Sequence, residues 1–150
     1  MELPLRDGQV AQIDEEDYAK VAGLPWTTDS QGYVHAWVGN DRLLLHRVVL
    51  GAEADQFLDH RFHDKLDNRK RNLRFATKQQ NARNRLKIRK PTSSRFKGVN
   101  WTKDGWQVRI AVSRSKCLFL GYFSDEITAA KAYNDAALKH FGEFALINEV

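Results

Sequence analysis

The sequence holds one cysteine, one methionine and three prolines among its 150 residues. A lone Cys117 excludes an internal disulfide and any Cys-x-x-Cys zinc site, so a bound metal would need oxygen and imidazole ligands, which points to magnesium-like chemistry. No run comes near the roughly 18 consecutive apolar residues of a membrane span. The opening MELPLRDGQVAQIDEED has neither the basic start nor the apolar stretch of a signal peptide. The expected location is therefore the cytoplasm, with no membrane partner.

Acidic residues are missing from one stretch altogether. Residues 69–97 carry 12 Lys and Arg and no Asp or Glu, whereas residues 1–68 carry 6 against 13 and residues 98–150 carry 6 of each. A solvated helix face usually interleaves both signs, so a belt of one sign reads as a surface for a polyanion, and nucleic acid is the obvious one.

The first half reads as short strands. QVAQI, GYVHAWV and DRLLLHRVVL are rich in β-branched and aromatic residues between Asp-, Gly- and Asn-containing turns. No long helical period is expected before about residue 77, where the capping-box form Thr77-x-x-Gln80 starts a helix running to about Leu86. Residues 87–94, KIRKPTSS, have no core pattern and read as a basic linker.

After the linker, Val108, Ile110 and Val112 alternate with Gln107, Arg109, Ala111 and Ser113, the period of a strand with one buried face. Leu118 and Leu120 continue that buried face on the next strand. Ser124-Asp125-Glu126 then caps a helix in which Ile127, Ala130, Tyr133, Ala137 and Phe141 recur at three- or four-residue spacing up to Gly142. The implied fold class is α+β: a β-rich N-terminal unit, a basic linker, and a three-stranded antiparallel sheet packed on one helix.

The chemistry is concentrated in Leu58-Asp59-His60, in LDNRKRNLR from Leu66 to Arg74, and in Thr77 to Asn84. Taken singly, Asp59, His60, Asn72 and Asn81 are ordinary turn or surface residues. Together they match the needs of phosphodiester hydrolysis: a base to activate water, and a cation to offset charge on the phosphate and the departing 3′ oxygen. A neutral imidazole suits the first need; a carboxylate and an amide oxygen suit Mg²⁺ or Mn²⁺. Neighbours on a strand point to opposite faces, so Asp59 and His60 reach one site only from a strand end or bend.

Leu45-His46-Arg47, Asp59-His60, LDNRKRNLR and Thr77-x-x-x-Asn81 resemble the HNH homing endonucleases of phages and group I introns. The similarity covers roughly residues 1–85, within an expected nuclease domain of 1–86 whose ββα-metal core is about 55–86. It implies that His60 is the general base, that Asp59 and Asn81 ligate one divalent metal, and that Asn72 braces the loop orienting His60. His46, in the LHR element, reads as a packing or loop-fixing residue rather than a ligand. The sequence departs from the family at Phe62-His63, where a small turn residue such as Gly is usual.

FKGVNW, WQVRIAV, LFLGYF and DEITAAKAYNDAALKHFGEFALIN resemble the Apetala/ethylene-response-factor DNA-binding domain, over an expected domain of 95–150. That family lays the exposed face of its sheet into the major groove. Here the face comprises Lys97, Asn100 and Thr102 on the first strand, Gln107, Arg109 and Ser113 on the second, and Cys117 and Phe119 on the third, with Arg95 and Lys116 adding charge. Asn100, Ala111 and Cys117 replace arginines of the plant members, so their sequence preference does not carry over. Trp106, in phase with Val108 and Ile110, reads as core; Trp101 fits either a buried or an exposed role.

The expected function is metal-dependent cleavage of double-stranded DNA by a monomer or weak dimer. Arg83, Arg85, Lys87, Arg89 and Lys90 would meet phosphates, which adds affinity and little sequence choice. The alternative is a non-catalytic, sequence-specific DNA-binding regulator with a decayed nuclease unit.

Overall fold

The computed structural model describes residues 1–84 and 93–150. It is a mixed α/β chain of several small sheets and few helices. Its contacts form two compact units, Met1–Thr77 and Lys78–Val150.

In the first unit, β1 (Glu2–Pro4) pairs antiparallel with β2 (Val10–Gln12). A single turn, Glu15–Asp17, leads into α1 (Tyr18–Val21). Strands β3 (Thr27–Thr28), β4 (Val34–Val38) and β5 (Asp41–Leu44) make a three-stranded antiparallel sheet in that order. Ala11, Ile13, Val21, Trp26, Val34 and Leu45 anchor the core, and the Trp26 indole donates to the Val21 carbonyl at 2.8 Å.

The strand expected over DRLLLHRVVL is half wrong, because β5 ends at Leu44 and gives way to α2 (Leu45–Leu50). The buried residues are Leu45, His46 and Val49, a set that shares one helix face but that a strand would split between its two faces, and Gly51 ends the helix in the left-handed conformation at φ 60°. Burial here outweighs the β propensity of Val48-Val49.

β6 (Phe57–His60) and β7 (Leu73–Ala76) close the unit as an antiparallel hairpin. The 12-residue loop between them is stitched to the N-terminal hairpin. Gln12 N donates to Leu66 O, and Asn68 N to Gln12 O, each at 2.7 Å. Lys70 N donates to Asp14 Oδ2 at 2.8 Å, and the Lys70 amine pairs with Glu16 and Asp17.

The second unit begins with α3 (Lys78–Arg83), inside the helix expected from Thr77 to about Leu86. Its contacts group it with the C-terminal sheet and helix. The Arg83 guanidinium donates to Val112 O at 3.1 Å and lies 4.6 Å from the centre of the Phe141 ring, while the Lys97 amine donates to Arg83 O at 2.8 Å. Most of the expected linker, 87–94, lies outside the described residues; Ser94 is buried and its hydroxyl accepts from Phe96 N at 3.0 Å.

Strands β8 (Val99–Thr102), β9 (Gly105–Ala111) and β10 (Cys117–Phe123) form an antiparallel sheet with β9 central. It packs on α4 (Glu126–Phe141), whose first turn is capped by Asp125, with Thr128 N donating to Asp125 Oδ2 at 2.7 Å. Val99, Val108 and Ile110 meet Ala130, Tyr133 and Phe141 in the core. Gly98 is required by packing: a Cβ there would stand 2.2 Å from the Tyr133 ring. No helix among the described residues is long and apolar enough to cross a membrane.

Candidate active site

Asp59 and His60 are the last two residues of β6, opposite Arg74 and Leu73 on β7. The strand end is where consecutive side chains can serve one site. Oδ2 of Asp59 accepts from Arg74 Nε at 3.0 Å and from Nη2 at 2.7 Å. His60 is buried, and that burial pushes its imidazole below the usual histidine range; Asn68, Asp59 and Asp64 pull the other way, and Lys65 adds to the downward push.

The loop after His60 is built around Asn72, which is fully buried. Its Nδ2 donates to Asp64 O at 2.9 Å and to Asp67 O at 2.7 Å, and its Oδ1 accepts from Phe62 N at 2.9 Å. Arg61 N donates to Asn72 O at 2.7 Å. One amide thus ties both ends of the loop together. Phe62 stands exposed, and His63, where a small residue such as Gly was expected, takes φ 62°.

Around the His60 ring lie residues the sequence did not single out for it. Asn68, fully buried, places Oδ1 3.3 Å from His60 Nε2. His46 on α2 meets His60 edge-on with ring centres 5.1 Å apart, and Tyr33 lies 6.0 Å from His60 and 5.7 Å from His46. Burial, with smaller repulsion from His60 and Arg47, pushes His46 down to about 3, and its Nδ1 has no hydrogen-bond partner among the described residues. His46 is neutral at pH 7 and packs against the His60 ring.

Asn81 lies half-buried on α3, with the second unit. Among the described residues no group of three His, Cys, Asp or Glu could hold a metal ion. Asp59 offers a hard carboxylate oxygen, and Mg²⁺ commonly draws several of its remaining ligands from water and phosphate. A carboxylate has about four lone-pair sites, so the two Arg74 bonds leave Asp59 compatible with a hard cation.

On the sheet of the second unit, Asn100, Arg109 and Phe119 are exposed and Gln107 is half-exposed, all on the face away from α4; Arg95 and Lys116 are exposed beside it. Thr102 serves the β8–β9 turn, donating to Gly105 O at 3.0 Å. Lys97 and Arg83 are half-buried and bonded to backbone carbonyls, and burial pushes the Lys97 amine down. Arg85, Lys87, Arg89 and Lys90 lie outside the described residues.

One residue of that face escaped the alternation. A bulge between Phe119 and Gly121 shifts the register, so Tyr122 joins Phe119 on the exposed side, with ring centres 5.1 Å apart, and its hydroxyl accepts from Gln107 Nε2 at 3.1 Å. Gly121, at φ 130°, is the sequence signal that could have marked it. Trp101 proves exposed, edge-on to the half-buried Trp106 at 5.0 Å.

No protein-family model matches the chain, and no solved structure does. It is 30% identical over 149 residues to a protein of Acanthamoeba polyphaga mimivirus named as an uncharacterized HNH endonuclease, an alignment covering 95% of this chain and 76% of the viral protein. With that identity over nearly its whole length, the chain belongs to the HNH endonucleases.

Proposed function

We propose that the protein is a metal-dependent endonuclease, of the homing or mobile-element kind, that hydrolyses phosphodiester bonds in duplex DNA. His60 is its general base, Asp59 and Asn81 hold one divalent ion, Mg²⁺ or Mn²⁺, and Asn72 braces the loop behind His60. The observation that carries this reading is the Asp59-His60 pair at the end of β6, above a loop knit together by Asn72.

The imidazole accepts a proton only in its neutral form, and burial favours that form for His60. His60 takes the proton of the attacking water, while its tight packing excludes other orientations of the ring. A hard divalent ion, when bound, offsets negative charge on the phosphate and the departing oxygen. Asn72 keeps the backbone from Arg61 to Asp67 in place, which sets the direction of the His60 side chain.

The second unit, read as an Apetala/ethylene-response-factor-like domain, lays Asn100, Gln107, Arg109 and Phe119 on the duplex. The basic segment from Arg83 through Lys90 neutralises phosphates. Affinity then falls with salt at a log-log slope of about −0.9 per phosphate contacted. One active site per chain makes a monomer a nicking enzyme; cutting both strands takes two copies or two events.

The test is conversion of supercoiled plasmid carrying candidate target sites to nicked or linear form, with and without Mg²⁺ or Mn²⁺, by the wild type and His60→Ala. Metal-dependent cutting that His60→Ala abolishes supports the reading. Tight duplex binding without cutting would favour a non-catalytic regulator.

A further inference from the structure

We infer that Asn68 is a positioning residue for His60, holding the imidazole in the tautomer with its proton on Nε2 so that Nδ1 carries the basic lone pair. The inference rests on the reading of His60 as the base and names the atom through which it acts.

The geometry runs outward from the amide. Asn68 Nδ2 donates to Lys65 O and to Leu66 O, each at 3.1 Å, and Asn68 N donates to Gln12 O at 2.7 Å. Both amide protons are therefore committed to carbonyls. A flipped amide would set Oδ1 against those two acceptors and lose both bonds, with no water at a fully buried residue to compensate. Oδ1 is thus held toward His60 Nε2, 3.3 Å away.

An amide oxygen only accepts, so the neutral ring meets it favourably only by donating from Nε2. His46 and Tyr33, with ring centres 5.1 and 6.0 Å from His60, flank the ring and oppose its rotation. A base presented in the wrong tautomer offers a proton where it should accept one, so fixing the tautomer bears directly on the rate.

The first measurement is the ¹⁵N long-range spectrum of the histidine rings in the full-length wild type at neutral pH, with the His60 signals assigned by their loss in His60→Gln. The pattern of an Nε2–H tautomer is expected; a dominant Nδ1–H pattern would overturn the inference. The second is Asn68→Ala, whose fold is checked by circular dichroism. We expect mixed tautomers and a nicking rate lower by about 100-fold at unchanged duplex affinity. A folded Asn68→Ala that keeps one tautomer and nicks at the wild-type rate would leave Asn68 a loop pin and nothing more. If His60→Ala still cuts, the base reading fails by itself, whatever tautomer the spectrum shows.

Discussion

Arg74 faces Asp59 across the β6–β7 hairpin and donates twice to the same carboxylate oxygen, at 3.0 and 2.7 Å, with both side chains only 10% exposed. The carboxylate proposed to hold a metal therefore already has a cation against it, and the two positive charges compete. Arg74→Gln is expected to tighten Mg²⁺ binding by about threefold or more. It should also lower stability by about 3 kcal/mol, since Asp59 loses both Arg74 bonds in a poorly hydrated place. Titration calorimetry and urea unfolding measure the two effects; unchanged Mg²⁺ affinity would count against Asp59 as a ligand.

His46 makes stability depend on pH above the carboxylate range. Its folded value of about 3 lies below the 6.5 of an unperturbed histidine. Between those values the unfolded chain takes up a proton that the folded chain does not. The contribution is whole above pH 6.5 and drains as pH falls toward 3, by up to about 1.4 kcal/mol per pH unit. His60, shifted the same way, adds to it. Urea midpoints at about pH 7.5, 6 and 5 should fall steadily in the wild type and less steeply in His46→Leu; parallel slopes would acquit His46.

His63 sits at φ 62°, a conformation that glycine adopts without the steric penalty of a Cβ. His63→Gly is expected to leave stability unchanged or raise it by up to about 1 kcal/mol, part of the gain being offset by the freer unfolded chain. His63→Val should lose about 1 kcal/mol or more. Thermal denaturation of the pair distinguishes backbone strain from a side-chain role.

Asn72 offers a sharper test of the loop. Asn72→Ala removes two donors and an acceptor in a fully buried place, leaving Phe62 N, Asp64 O and Asp67 O without that partner. A loss of about 3 kcal/mol is expected. Nicking should fall even under conditions where the variant is folded. Full activity in a folded Asn72→Ala would detach the brace from catalysis.

Tyr122 stands on the proposed duplex-binding face and is 47% exposed. Tyr122→Ala is expected to weaken duplex binding several-fold in fluorescence anisotropy while changing unfolding by no more than about 0.5 kcal/mol. Unaltered affinity would remove this end of β10 from the interface.

The sheet and helix of the second unit were legible because their signals are local. Alternation along β9 and the cap and period of α4 depend on residues within a few positions of each other. The nearness of Asp59-His60 to Asn72 was legible because all three are written along one short stretch that folds as a single hairpin and its loop. The turn of Leu45 to Leu50 into a helix was not, since β-branched residues there favour a strand until a core exists to reward burying Leu45, His46 and Val49 on one face.

The charge segregation, the local periods and the order of the chemical groups are each a property of neighbours along the chain. The tertiary structure alone decided that Arg74 would sit on Asp59, that Asn68 would face His60 Nε2, and that His46 and Tyr33 would pack beside the same ring. It also decided that a bulge would turn Tyr122 outward. These are meetings of residues brought together by strand register and burial, and no local period encodes them.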